Sequence, residues 1–275
     1  MGGNLKRLTD VSYWEESWWT RIRPEKLRLF RDFDFETARL LGRSCRELKA
    51  AAPAASVAVL EVGAGGSRVL PYVGRKSGCK VYGSDFSLSG CRLLRANLAL
   101  QGLPQIAVCE DLFNSSLRPD TFDLVYSSGL IEHFDDTAAV IAEHLRVVKP
   151  GGRLVLIVPN FEGLQGRIWK RLARPLYDRH RVFGPEDLSG LLKKLELDSV
   201  EYGYLGSFFI HIGMGDDWTV VKGWPRWLQQ LVHYSVRLTN GALSFLFRLL
   251  PLRPHSRALS TAFYAAGTKP RHGTA

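Results

Sequence analysis

Short apolar runs alternate with longer stretches of helical period through the middle of the chain. The runs fall at 57–62, 80–84, 106–109, 122–127 and 153–158, and the helical stretches between them near 67–77, 87–101 and 135–148. Near-continuous apolar runs this short are strands covered on both faces. Their alternation with helical stretches at this spacing predicts βαβ units and a parallel sheet. Residues 35–50 read as an amphipathic helix broken by AAPAAS, and 185–195 as a further helix opened by Pro185 with Glu186 and Asp187 in its first turn. KPGG at 149–152 marks a turn into the fifth run. Two more strands are predicted at 199–205 and 259–268, separated by a long insertion. No internal repeat or low-complexity linker interrupts the chain. The expected organisation is an N-terminal helical lid over 1–50, an α/β domain over 51–205 and 259–270, and a helical cap insertion over 206–258.

Composition narrows the class. The 275 residues are 45% hydrophobic and 23% charged, as in an ordinary globular protein long enough to bury a substantial core. The net charge of +10 is uneven: from Trp218 onward there is no Asp or Glu, and Lys222, Arg226, Arg237, Arg248, Arg253, Arg257, Lys269 and Arg271 supply +8 of it. Such an end suits an anionic partner or is a solvated basic face. Cys45, Cys79, Cys91 and Cys109 form no C-x-x-C pair and read as reduced thiols of a cytoplasmic protein. MGGNLKRLTD lacks the apolar core of a signal peptide, and Lys6 stands where a myristoylation motif wants Ser or Thr. No apolar run approaches the ~18 residues of a membrane span, so any membrane association is expected to be peripheral.

The chemistry concentrates at the ends of the apolar runs. In VAVLEVGAGGSRVL a strand ends near Glu61, a glycine turn follows at Gly63, Gly65 and Gly66, and Ser67 opens a helix. Glycine lets a backbone turn sharply and approach a ligand with no Cβ between, while helix N–H groups face it. Dinucleotide-binding folds use such a turn too, but their fingerprint wants Gly or Ala where Arg68 stands. Glu61 would also repel a pyrophosphate, whereas it suits a ligand carrying an ammonium and a sulfonium. Asp85, in KVYGSDFS, ends the next run where an acid accepts ribose hydroxyls. Asp111, in VCEDLF, follows the third run and is expected to accept from an adenine amino group, with Leu112 and Phe113 beside the ring. FDLVYSSGLIEHF carries the fourth run into a loop at 127–129. All four lie at strand carboxyl ends, where open parallel sheets bind ligands.

Taken in order, EVGAGG, SDFS, EDLF, FDLVYSSGLIEHF and HLRVVKPGGRLVLIVPN resemble the class I S-adenosylmethionine-dependent methyltransferases, particularly the subgroup of quinone-biosynthesis and natural-product enzymes. The resemblance covers residues 55–160 and thins on either side. It implies a Rossmann-like seven-stranded, mostly parallel sheet with helices on both faces, the last strand antiparallel and a helical insertion before it. It implies S-adenosylmethionine as cofactor, leaving as S-adenosylhomocysteine. Glu61, Gly63, Ala64 and Gly65 then hold the methionine end, Asp85 the ribose, and Asp111 with Leu112 the adenine, with Phe86 a further cofactor contact, while Ser127 and Ser128 lie beside the sulfonium. Two departures stand out. Ser67 replaces the usual third glycine, and Gly129 stands where some quinone O-methyltransferases place an acid that completes a Glu/Glu/His metal cluster with residues matching Glu132 and His133. No metal is expected.

Methyl transfer from a sulfonium gains mainly from proximity and in-line alignment. A hydroxyl acceptor also needs a base, and His133 is the candidate, the alternative being that Glu132–His133 only orders the loop. Tyr13, Trp14, Trp18, His180 and His211 are candidate acceptor-binding residues. Residues 218–255, aromatic-rich with arginines at intervals, read as a cap over the acceptor, a peripheral membrane contact, or a core or homodimer interface. The expected function is methyl transfer to oxygen or nitrogen of a small organic acceptor, amphiphilic or anionic, as in secondary-metabolite, quinone or glycolipid biosynthesis. A nucleic-acid methyltransferase is disfavoured, because the fourth motif lacks the Asn/Asp-Pro-Pro-aromatic signature. The intact cofactor motifs argue against a non-catalytic binding protein, and Arg68 against a nicotinamide oxidoreductase.

Overall fold

The computed structural model describes residues 7–17, 23–27, 32–207, 223–249 and 255–271. The apolar runs form one seven-stranded sheet in the order β3-β2-β1-β4-β5-β7-β6. Its strands are β1 (Ala58–Val62), β2 (Lys80–Asp85), β3 (Ala107–Cys109), β4 (Phe122–Ser128), β5 (Val148–Pro159), β6 (Asp198–Leu205) and β7 (Ala262–Thr268). The first five pair in parallel, and β7 runs antiparallel between β5 and β6.

Period-two alternation sorts each strand's side chains between two cores. Val59, Leu124, Tyr126, Val155 and Ile157 pack against α2 (Asp32–Ala51), α3 (Val69–Ser77) and α4 (Leu88–Leu100). Leu60, Val62, Val125, Leu154 and Leu156 meet α5 (Thr137–Val147) and α8 (Pro185–Lys194) on the other face. The remaining helices are α1 (Val11–Ser17), α6 (Leu164–Leu172), α7 (Arg174–Tyr177) and α9 (Arg226–Leu249). The expected helical insertion before the last strand is therefore present as α9. Among the described residues no helix is long and apolar enough to cross a membrane.

Three local expectations change. The segment 1–50 is not uniformly a lid: Leu40, Leu41 and Cys45 of α2 are buried in the sheet's core. Glu36 fastens this helix to the β6–β7 end of the sheet, accepting from the Gly206 N–H at 2.6 Å and from His255 Nε2 at 2.8 Å. KPGG is not a turn ahead of β5 but an irregularity within it, where the register passes from Phe122↔Val148 to Leu124↔Arg153. Gly152 permits the crossing, since a Cβ there would lie 2.8 Å from the Lys149 carbonyl and 3.0 Å from that of Asp123. Ser67 precedes α3 and does not open it; its Oγ accepts from the Leu70 N–H at 3.2 Å. The cysteines, separate in sequence, come together as two neighbouring pairs, Cys45 with Cys79 and Cys91 with Cys109, all as free thiols.

Candidate active site

β1 lies between β2 and β4, so the chain leaves it in one direction for β2 and β3 and returns on its other side. Such a switch point opens a crevice at the strands' carboxyl ends. A cavity of about 310 Å³ sits there, lined by Glu61, the glycine loop, Asp85 and the start of the β4–α5 loop.

The loop is held from below. The N–H groups of Gly63 and Ala64 donate to the Ser84 carbonyl at 2.9 and 3.0 Å. The Gly65 N–H donates to Asp85 Oδ2 at 2.6 Å, and the Ser87 N–H to Asp85 Oδ1 at 2.8 Å. Asp85 therefore lines the cavity and also ties the glycine loop to the end of β2. Gly63 has φ +72°, and a Cβ on it would stand 3.1 Å from Leu130 Cδ1, so a side chain there would be strained and would crowd the opposite wall.

Two buried carboxyls face this space. Burial pushes Glu61 up to about 7, against the pull of hydrogen bonds from Ser67 and Tyr126. Burial likewise raises Asp85 to about 6, partly offset by the N–H groups of Ser87 and Gly65. Carboxyls stripped of water hold their protons until a cation or further donors arrive. A ligand with an ammonium at one end and ribose hydroxyls in its middle supplies both, and the Gly63 cradle leaves room for its backbone approach. The residues present thus fit S-adenosylmethionine.

The other expected cofactor residues are sorted by position. Phe86, Leu112 and Ser128 line the cavity, whereas Ala64, Ser127 and Asp111 are not among its walls. Ala64 and Ser127 are buried beneath it. Asp111 instead caps the short 3-10 turn that follows, accepting from the Phe113 N–H at 2.9 Å, and pairs with the Arg7 guanidinium. Arg7 lies over the rings of Phe86 and Phe134, at 5.1 and 5.7 Å, so it bridges the rim from Asp111 to the β4–α5 loop. Glu110 lines the cavity, but its carboxylate accepts from the hydroxyls of Ser115 at 2.6 Å and Ser116 at 2.7 Å.

His133 stands in the cavity wall beside Gly129 and is buried. Its Nδ1 lies 3.2 Å from the Arg179 carbonyl. A carbonyl only accepts, so Nδ1 carries the hydrogen and Nε2 keeps its lone pair. Burial, with neighbouring His180, lowers the imidazole to about 3, against the opposing effect of the Arg179 carbonyl, so the ring is neutral at physiological pH. Trp14, also in the wall, meets it edge-on with centroids 5.3 Å apart. His180 packs behind it at 4.5 Å and against Phe161 at 4.7 Å. Tyr13 is one step further out, edge-on to Trp14 and under the Arg179 guanidinium at 4.8 Å. Trp18 and His211 lie outside the described residues. Glu132 is fully buried and raised to about 8 by desolvation, and its Oε2 has no hydrogen-bond partner. Among the described residues no group of three or more His, Cys, Asp or Glu is placed to hold a metal ion.

Several walls were not foreseen. Asp34 and Thr37 of α2 reach the cavity, and Arg68 lies beside them, paired with Glu25 and 3.6 Å from Asp34. The one signal for them in sequence was a cluster of polar positions within a helix that otherwise buries Leu40, Leu41 and Cys45. None of the described residues of the cap insertion, α9 included, supplies a wall.

This strand order, with an acid–glycine loop at the switch point and a second acid ending β2, is that of the Rossmann-like methyltransferase fold. Residues 60–156 match the family of methyltransferase domains. A ubiquinone biosynthesis O-methyltransferase of Thiobacillus denitrificans is 29% identical over 161 residues, spanning 54% of this chain and 68% of that one. A demethylmenaquinone methyltransferase of Corynebacterium kroppenstedtii is 42% identical over 81 residues, 30% of this chain and 33% of that one. Among solved structures, the plantazolicin methyltransferase BpumL in complex with S-adenosylhomocysteine superposes with a TM-score of 0.55 over 95% of this chain and 94% of its own, at 13% identity, which speaks to fold alone. Over residues 60–156 the chain is thus similar to methyltransferase domains, and over part of its length to methyltransferases of ubiquinone and menaquinone biosynthesis.

Proposed function

We propose that the protein methylates a hydroxyl oxygen of a small aromatic acceptor. The observation that carries this reading is the fixed tautomer of His133: with Nδ1–H committed to the Arg179 carbonyl, a bare Nε2 remains on an imidazole in the cavity wall. An amine acceptor needs only its own lone pair, so a buried, oriented, neutral imidazole favours a hydroxyl. The relatives named as ubiquinone biosynthesis O-methyltransferases support the same choice.

When bound, the cofactor supplies an electrophilic methyl group on a cationic sulfur. Glu61 and the Gly63–Gly65 loop would hold its methionine end, Asp85 its ribose, and Phe86 with Leu112 its adenine. His133 is a weak base, but a weak base suffices: as the new C–O bond forms, the acceptor's O–H becomes strongly acidic and its proton passes to Nε2. Trp14 and His180 hold the imidazole against rotation, and residues 7–17 close the cavity's outer side through Arg7, Thr9 and Trp14. The compartment this reading implies is the cytoplasm, the four free thiols being those of a reducing one. The test is transfer of isotopically labelled methyl from S-adenosylmethionine to paired phenol and aniline acceptors of the same skeleton. The expected result is label on the phenol, lost in His133→Ala. Label on the aniline alone, indifferent to that substitution, would overturn it.

A further inference from the structure

α9 carries an apolar face that nothing in the described chain covers. Leu228, Val232, Val236, Leu243 and Phe247 are half-buried and form its inner stripe. Trp227, Leu231, Tyr234, Leu238 and Phe245 stand in solvent, Leu238 being 77% exposed and Trp227 65%. At 100° per residue these five fall within an arc of roughly 60°. Arg226, Gln230, His233 and Arg237 lie together on one flank, between that arc and the inner stripe. The helix is thus apolar on an outward strip, basic along one edge and half-buried on its remaining side.

Five large apolar side chains exposed along one strip of a helix mark an interaction surface. The charge names the occupant. From Trp218 to the end of the chain there are eight Lys and Arg and no acid, so nothing in this segment balances the arginines beside the strip. A second copy docking face to face would set that same acid-free segment against itself, a like-charge contact that symmetric pairing cannot avoid. A sheet of anionic headgroups meets both features together: Trp, Tyr, Leu and Phe enter the headgroup–acyl boundary while arginines pair with phosphates beside them. The helix lacks the apolar length to cross a bilayer, so it lies along the surface.

We propose that α9 is the surface by which the protein binds a membrane bearing anionic lipid headgroups. This goes beyond the assignment of the acceptor and rests on nothing in it. The test is co-sedimentation of the full chain with vesicles of phosphatidylglycerol and phosphatidylcholine, and of phosphatidylcholine alone, at low and high salt. Binding is expected to the anionic vesicles, at least about tenfold stronger than to the zwitterionic ones, and weakened by salt. The combined variant Leu231→Ser, Leu238→Ser, Phe245→Ser, and separately Arg226→Glu with Arg237→Glu, should each lose most of that binding. Both should keep S-adenosylhomocysteine affinity, because α9 does not line the cavity; that titration also shows that the variants are folded. No binding to anionic vesicles, or binding that both folded variants retain, overturns the proposal. So does light scattering that finds a stable dimer in the parent chain and a monomer in the triple variant, which would make the strip a subunit interface. Methyl transfer to a water-soluble phenol is read separately, so failure of the vesicle experiment leaves the acceptor assignment standing.

Discussion

Tyr126 donates its hydroxyl hydrogen to Glu61 across the β1–β4 pair, Oη to Oε2 2.6 Å, and both side chains are buried. The two are direct partners in the strand register, so the acid that opens the glycine loop is oriented from the neighbouring strand.

That arrangement gives cofactor binding a pH dependence. Glu61 sits at about 7 in the folded protein against an ordinary 4.5, so the native state keeps a proton that the unfolded chain gives up between those values. Through this group, stability of the ligand-free protein falls as pH rises from about 4.5 to about 7 and is level above. A cationic ligand favours the ionised carboxylate, so affinity for S-adenosylmethionine should rise through the same window and binding should release a proton. Asp85, at about 6, titrates lower, which leaves the upper part of the transition to Glu61. Calorimetry in buffers of different ionisation heat measures the release. Glu61→Gln should abolish its upper part and weaken binding above neutrality.

Asp85→Ala should cost twice. Cofactor affinity is expected to fall about tenfold or more. The Gly65 and Ser87 N–H groups also lose a buried carboxylate acceptor, a loss of about 1.5–3 kcal/mol in stability. Urea denaturation of the ligand-free variant reads the second effect alone. Unchanged stability would mean that the glycine loop holds its shape without Asp85.

Gly63→Ala combines a left-handed backbone with a clash. The unfavourable φ costs about 1–2 kcal/mol, and the new methyl meets Leu130. Adding Leu130→Ala should relieve the contact but not the backbone cost, so the double variant should recover cofactor affinity only in part. Full recovery would assign the whole effect to crowding.

The strands were legible because each is an apolar run long enough to be buried on both faces, and their carboxyl ends brought Glu61, Gly63, Asp85, Leu112 and Ser128 to one crevice. What sequence could not supply is register and side-chain direction. Tyr126 looks like any strand aromatic until β4 is set beside β1. Asp111 looks like a base-reading acid until its carboxylate is seen capping its own turn and pairing with Arg7. α2 passes for a detached lid because its apolar stripe does not say what it packs against. The KPGG stretch carries turn residues, yet the backbone uses them to cross a register shift inside β5.

His133 should govern turnover and not cofactor binding. His133→Ala is expected to lower kcat roughly a hundredfold with a hydroxyl acceptor while the Kd for S-adenosylhomocysteine stays within about twofold. Because the imidazole is held at about 3, kcat at saturating cofactor should show no acidic limb at an ordinary imidazole value near 6.5. A limb there that disappears in His133→Ala would show the ring to be solvated in the working enzyme.

The most direct measurement is a calorimetric titration of the full chain with S-adenosylhomocysteine, repeated on Asp85→Ala and Glu61→Gln. The account predicts one site per chain in the parent protein and affinities at least about tenfold weaker in Asp85→Ala, with a smaller loss in Glu61→Gln because the product carries no sulfonium charge. Absence of binding in the parent, or binding that both variants retain in full, would contradict the placement of the cofactor in the crevice between β1, β2 and β4.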